Sequence, residues 1–198
     1  MLTLENKPTV LATSSNSEES ALAPLVLAFA SDPAVRWMYP NAHQYRIFFP
    51  RFARAFGGKA FALGTAQHLD DFRGTALWLP PGVVPDDHVL VPILEETISP
   101  ERLGDAFGVF EQMGAHHPSV PHWYLPLLGV DPRHQSQGLG SALIEPFLAA
   151  FDRDGAVAYL EASNPRNVPF YERQGFEVRS EFHPDGGPLI TGMWRSAR

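Results

Sequence analysis

The stretch HWYLPLLGVDPRHQSQGLGSALIEPFLAAFDRDGAVAYLEASNPRNVPFYERQGF, residues 122–176, carries the signals that decide the fold. It opens on an apolar run, 122–130, that reads as a strand of buried type, although Pro126 removes one ladder donor. A polar loop, DPRHQSQ, follows. GLGSALIEPFLAAFDRDG then reads as an amphipathic helix, bent where Pro146 removes an i to i−4 bond. AVAYLE is a second strand, NPRNVPFYERQ a short helix, and FEVRSEF with PLITGMW a closing pair of strands.

Upstream, PTVLA at 8–12 reads as a first strand, and cap-like polar residues at 15–19 precede the helical run ALAPLVLAFA, which Pro33 stops. The aromatic segment 37–56, WMYPNAHQYRIFFPRFARAF, predicts a helix broken or kinked near Pro50. Its rings suit a hydrophobic core. They also suit an acceptor pocket lined by Trp37, Met38, Tyr39 and Tyr45, because an aromatic ring with a polar edge fits an organic amine. Residues 60–66 and 72–79 alternate like a hairpin with its turn near Asp70 and Asp71. A helical insertion around 86–115 follows, with Pro100 in the first turn of its second helix.

The 198 residues suit a single domain spanning 1–198, and 44% hydrophobic with 19% charged residues is a globular composition. The absence of cysteine excludes a thiol nucleophile, disulfides and thiolate metal sites. Net charge is −7 and the basic residues are scattered, so no nucleic-acid stripe is present. With lysine only at positions 7 and 59, a phosphorylated ligand has to be held by arginines and backbone N–H groups. No signal peptide and no apolar run of membrane length occurs, so a soluble cytoplasmic protein without membrane attachment is expected.

The order strand, polar loop, Gln135-Ser136-Gln137-Gly138-Leu139-Gly140, helix is the feature closest to a ligand site. Glycines at a helix start let the backbone approach a ligand closely, and the free N–H groups with the positive helix end suit a pyrophosphate. An ordinary tight loop entering a helix reads the same way. No GxxxxGK[ST] exists in the chain, which excludes a P-loop. A dinucleotide fingerprint fails at Leu143, where its third small residue belongs. A long charged loop also separates the glycines from Val130, even though Glu161 falls about 20 residues on, where a ribose-binding acid would sit.

Together these residues resemble the GCN5-related N-acetyltransferase (GNAT) family, and more narrowly its puromycin N-acetyltransferase-like branch. Gln135, Gly138 and Gly140 match the family loop [QR]-x-x-G-x-[GA], joined at the family's spacing by YLEAS, Asn164, Asn167 and YERQGF over about 55 continuous residues. Ser136 departs from the glycine that many members carry. The resemblance implies an α/β (α+β) fold: a twisted mixed β-sheet with helices on both faces, whose fourth and fifth strands splay apart to admit acyl-coenzyme A. It implies acetyl-CoA as cosubstrate and no metal. Leu128, Gly129 and Val130 would pair with the pantetheine arm, and Gln135, Ser136, Gln137, Gly138, Leu139, Gly140 and Ser141 would cradle the pyrophosphate. Asn164 or Asn167 would bond the arm from the other side. The activity implied is direct acetyl transfer to a primary amine of a small molecule, by a protein that is a monomer or homodimer.

Direct transfer needs a neutral amine, donors for the oxyanion and a proton for the departing thiolate, and no covalent nucleophile. The resemblance puts the Tyr171 hydroxyl near the coenzyme sulfur as general acid; otherwise its ring simply packs on the sheet. In AVAYLE, strand alternation puts Tyr159 and Glu161 on one face and Ala158 and Leu160 on the other. Glu161 is a candidate base, or a partner for Arg166 or Arg173. His122 is a second candidate base and acceptor-site residue, since imidazole titrates near neutrality. His116, His117, His122 and His134 lack metal-ligand regularity. Two further possibilities are a non-catalytic acyl-CoA-binding module, which would not need Tyr171 and Glu161 aimed at one point, and transfer to a protein or peptide amine, which would need an open groove. The aromatic segment and the helical insertion favour an enclosed cleft.

Overall fold

The computed structural model of the chain describes residues 8–183 and 186–198. The strands are β1 (Val10–Ala12), β2 (Ala66–Leu69), β3 (Gly74–Leu79), β4 (Trp123–Val130), β5 (Ala158–Ala162), β6 (Glu177–Phe182) and β7 (Ile190–Arg195). They form one mixed sheet in the order β1-β2-β3-β4-β5-β7-β6. Every neighbouring pair is antiparallel except β4 and β5, which run parallel.

Strand alternation divides the core in two. Leu77, Tyr124 and Tyr159 point to one face, where they meet α1 (Glu18–Ala28), α3 (Ala42–Gly57), α5 (Asp87–Thr97) and α6 (Pro100–His116). Their chain neighbours Trp78, Leu125 and Leu160 point to the other, against α7 (Leu139–Asp154) and α8 (Val168–Arg173). On the first face the rings of Tyr45, Phe49, Phe52 and Phe56 stack in series along α3, with centroids 5.0, 6.0 and 5.3 Å apart. Their spacing of three and four residues makes one helical stripe. Asn41 starts that helix by accepting from the His43 and Gln44 N–H groups.

Three local expectations change. The helix assignment of α3 runs unbroken through Pro50, because the aromatic stripe packs on both sides of it. Residues 60–65 do not form a strand; α4 (Lys59–Ala62) takes the first of them, a turn follows, and the hairpin begins at Ala66. Ala60 and Phe61 are adjacent and both buried, which a helix end tucked into the core permits and an alternating strand with one wet face does not. Pro33, expected only to stop a helix, also opens α2 (Pro33–Met38) with Asp32 as its N-cap.

The sheet is interrupted where β4 meets its neighbours. Between the pairs Leu77↔Leu127 and Leu79↔Tyr124 the register shifts, so that Leu125 and Pro126 face the single residue Trp78. This is a β-bulge with the one residue that has no N–H to offer. Parallel pairing with β5 covers only Trp123↔Ala158 and Tyr124↔Tyr159. Beyond Tyr124 the two strands separate. At Gly129 α1 lies directly on β4, and an added Cβ there would fall 2.9 Å from the Ala28 Cβ. Among the described residues no helix is long and apolar enough to cross a membrane.

Candidate functional site: a cleft between β4 and β5 and an apolar pocket beside it

The opening between the strands is a cleft of about 700 Å³. One wall is Leu128, Gly129 and Val130, whose ladder partners are Ala76, Thr75 and Gly74 on β3 and whose other edge has no strand. At its mouth the chain turns into α7. Asp131 accepts from the Arg133 N–H and guanidinium, Gln135 Nε2 donates to the Val130 carbonyl at 3.1 Å, and Ser136 and Gly138 take left-handed φ values of 61° and 78°. The N–H groups of the first turn of α7 have no intrahelical partners, so they are free to meet an anion. A Cβ on Gly138 would meet nothing within 4 Å. Gly140 is small for a different reason, since its Cβ would press on the Phe170 ring at 3.3 Å.

Opposite this loop are Asn164, Asn167, Phe170 and Tyr171. Asn164 Oδ1 accepts from the Arg166 N–H, which holds the turn and leaves the amide nitrogen for a ligand. Arg166 and Arg173 also line the cleft. Sequence reading had considered these arginines only as partners for Glu161; here they supply positive charge on the wall facing the loop. Of the expected loop residues, Gln137 alone is not on the cleft wall. Ser141 lines it, with its hydroxyl taken by Gln174 at 3.0 Å. These features fit a long ligand with amides at one end and phosphates at the other, through an open strand edge and a helix N-terminus.

Tyr171 is 8% exposed and lines the cleft; burial, with a contribution from the Asp32 charge, raises its pKa above the usual phenol range. The phenol therefore carries its proton at neutral pH. Asp32 was missed as a site residue, although an Asp before Pro at a helix start is legible as an N-cap. It is buried, accepts from the Ala34 and Val35 N–H groups at 3.0 Å each, and accepts from the Ser163 hydroxyl at 2.7 Å. Burial raises its pKa against the opposing pull of those hydrogen bonds.

A second cavity, of about 70 Å³, adjoins the cleft and shares Phe29 with it. Trp37, Met38, Phe52, Phe56, Phe110 and Met113 are among its walls, which come from α2, α3 and α6, with Glu161 and Ser163 from the β5 end. Glu161 is the one carboxylate among the described residues lining it. Its side chain is 3% exposed, Oε1 lies 3.3 Å from His117 Nδ1, and Oε2 has no hydrogen-bond partner among the described residues. Neither Arg166 nor Arg173 pairs with it.

Trp37 thus reaches the pocket, while Tyr39 and Tyr45 do not. Tyr39 is 1% exposed with its hydroxyl on Thr97, and Tyr45 is 3% exposed with its hydroxyl on the Val26 carbonyl. Tyr45 belongs to the core with the α3 stripe that buries Phe49, and Tyr39, just beyond the end of α2, is packed in the same core with its ring 6.3 Å from that of Phe48. His122 lines neither cavity; it sits behind His117, Nε2 to Nε2 at 2.9 Å. No group of three or more His, Asp or Glu residues among those described is arranged to hold a metal ion.

Residues 100–176 match the Acetyltransferase (GNAT) family. An uncharacterized N-acetyltransferase of Schizosaccharomyces pombe is 26% identical over 83% of this chain and 72% of its own length. Among solved structures, the histone acetyltransferase HPA2 and related acetyltransferase of Corynebacterium glutamicum is similar at 27% identity and a TM-score of 0.68, covering 97% of both chains. The arylalkylamine N-acetyltransferase 2 of Aedes aegypti superposes with a TM-score of 0.66 over 98% of this chain and all of its own, at 15% identity, a likeness of fold alone.

Proposed function

We propose that the chain is a GNAT acetyltransferase that transfers the acetyl group directly from acetyl-CoA to the primary amine of a small molecule with an apolar body. The observation that carries this reading is that the two cavities have Phe29 in common in their walls. One has the backbone edge and helix start that suit a coenzyme; the other is apolar with a single buried carboxylate.

When bound, acetyl-CoA supplies the activated acetyl group. Leu128, Gly129 and Val130 would hold its amide-bearing arm by strand-like hydrogen bonds. The backbone from 135 to 141, with Arg166 and Arg173, would hold its phosphates, and Asn164 and Asn167 would steady it from the opposite wall. Glu161 would draw the ammonium group into the apolar pocket and take its proton at Oε2, the oxygen without a partner. Tyr171 would donate its proton to the departing sulfur, a task suited to a phenol kept protonated by burial. The apolar walls exclude water, which strengthens the charge interactions at Glu161.

The test is release of free coenzyme thiol from acetyl-CoA by the whole protein, over a panel of primary amines graded from alkyl and arylalkyl to polyamine, aminosugar and lysine peptide. The reading expects turnover with the apolar amines. Tight coenzyme binding with no turnover of any amine would make the protein a binding module instead, and turnover confined to peptides would move the acceptor to a protein.

A further inference from the structure

We propose that Ser163, with its hydroxyl hydrogen held by Asp32, is the residue that makes the site choose primary amines over secondary amines and alcohols. The inference rests on the reading of the apolar pocket as the acceptor site. Its basis is the polarity of one hydrogen bond. The Ser163 hydroxyl donates to Asp32 Oδ2 at 2.7 Å, while Asp32 Oδ1 accepts from the Ala34 and Val35 N–H groups at 3.0 Å each. Burial raises the Asp32 pKa, and the three donated hydrogen bonds oppose it and favour the carboxylate. A carboxylate only accepts, so the single hydrogen of the Ser163 hydroxyl is committed to it. No other described group bonds to Ser163 Oγ, whose two lone pairs are left for a ligand.

The place of this bond in the fold suits the task. Asp32 lines the cleft that also holds Tyr171, and Ser163 lines the apolar pocket, so the bond has one partner in each wall. Burial and then the Asp32 charge raise the Tyr171 pKa, which brings Asp32 within electrostatic reach of the phenol assigned to the coenzyme sulfur. Side-chain oxygens in the walls of the pocket come from Tyr124, Glu161 and Ser163 alone among the described residues. Burial and then the Glu161 charge keep the Tyr124 phenol protonated, and that phenol carries its own hydrogen. Glu161 and Ser163, two residues apart at the end of β5, are thus the pair that presents lone pairs only.

Two acceptors need two hydrogens on the attacking atom. A neutral primary amine has two N–H bonds and one lone pair: one hydrogen goes to Glu161, the other is donated to Ser163 Oγ, and the lone pair is left to attack. The nitrogen–carbon bond forms as the carbon–sulfur bond breaks, Glu161 keeps the first hydrogen and Tyr171 protonates the sulfur. The hydrogen on Ser163 stays on nitrogen and becomes the amide hydrogen of the product. A secondary amine or an alcohol has one hydrogen only. It leaves Ser163 Oγ facing a carbon or a bare oxygen in a dry pocket, the arrangement that penalises an analogue lacking a donor. Asp32 acts through Ser163 and is a positioning residue.

The whole protein, with phenethylamine and N-methylphenethylamine as probes, tests this. The wild type should favour the primary amine in kcat/KM by about tenfold or more. Ser163→Cys, which opens no space and accepts poorly, should bring the ratio close to one, mainly through loss of rate with the primary amine. Equal use of both amines by the wild type, or an unchanged ratio in the variant, would overturn the inference. A double-mutant cycle separates polarity from packing. Asp32→Asn keeps the helix cap through Oδ1 and turns its amide N–H toward Ser163, which frees the hydroxyl hydrogen. Ser163→Ala should therefore cost about tenfold with Asp32 present and less than twofold in the Asp32→Asn background. An equal cost in both backgrounds would make Ser163 a packing residue and overturn the inference. Calorimetry of phenethylamine with the same four proteins and coenzyme A, which has no acetyl group to transfer, reads the cycle without catalysis. Binding that follows the cycle, without turnover of any amine, would remove the proposed function and keep the role of Ser163. Absence of binding would remove both.

Discussion

The two sides of the site are built from different materials. The proposed coenzyme side, residues 128–141 and 164–171, is mostly backbone: an unpaired strand edge, two left-handed turn residues and the start of a helix. The proposed acceptor side is side chains brought from α2, α3, α6 and β5, separated by more than a hundred residues of chain. A site made of backbone depends on conformation, so it tolerates changes of side chain and fails when φ or pairing changes. A site made of side chains depends on packing, so its changes alter which ligand fits without touching the fold. Mutations on the two sides should therefore separate cleanly.

The largest effect is expected where the two sides meet. Tyr171→Phe should lower kcat about a hundredfold or more, the contribution of a well-placed general acid, with coenzyme affinity unchanged in a direct binding measurement. A parallel loss of affinity would mean that the ring holds the ligand instead of serving it. Next, Gly138→Val puts a β-branched side chain at a φ of 78°. Strain of about 1–3 kcal/mol should appear as about a tenfold to hundredfold loss of acetyl-CoA affinity by calorimetry, with the amine preference across the panel preserved. Trp37→Ala is the converse. It should raise KM for apolar amines by about tenfold, equivalent to about 1.4 kcal/mol of lost apolar contact, and leave acetyl-CoA affinity unchanged. The smallest effect is expected at Ser136, whose φ of 61° glycine adopts freely. Ser136→Gly should raise the melting temperature or coenzyme affinity by an amount equivalent to at most about 1–2 kcal/mol. A loss of affinity there would give the serine hydroxyl a role at the phosphates.

The same difference governs how much of the molecule could be read from its sequence. Pro126, Gly138 and Gly140 are local signals of local backbone events, and each one marks a bulge, a left-handed turn or a close approach in the structure. Glu161 was placed on its face by strand alternation, and that face is the one with the pocket. Of the two readings open for Tyr45, core and pocket wall, the first is the one found: it shares a helical stripe with Phe49, Phe52 and Phe56, which a wheel of α3 assigns to the core. The pairing of Glu161 with His117 was not readable, because it joins residues 44 apart through the geometry of the 117–122 turn. Of the two readings open for Glu161, pairing with Arg166 or Arg173 is the one the structure does not show, since a sequence shows which charges are present and not which wall they stand on.

The proline in β4 ties the lifetime of the protein to what it binds. The free edge of β4 is a binding surface that only the folded chain possesses, because unfolding scatters the groups that compose it. Any ligand that completes the edge binds only the folded form and stabilises it by mass action, about 2.7 kcal/mol when present at a hundred times its dissociation constant. Resistance to heat and to proteolysis would then rise with the supply of the molecule that fills the gap, and the abundance of the protein in a cell would follow that supply without any dedicated regulator.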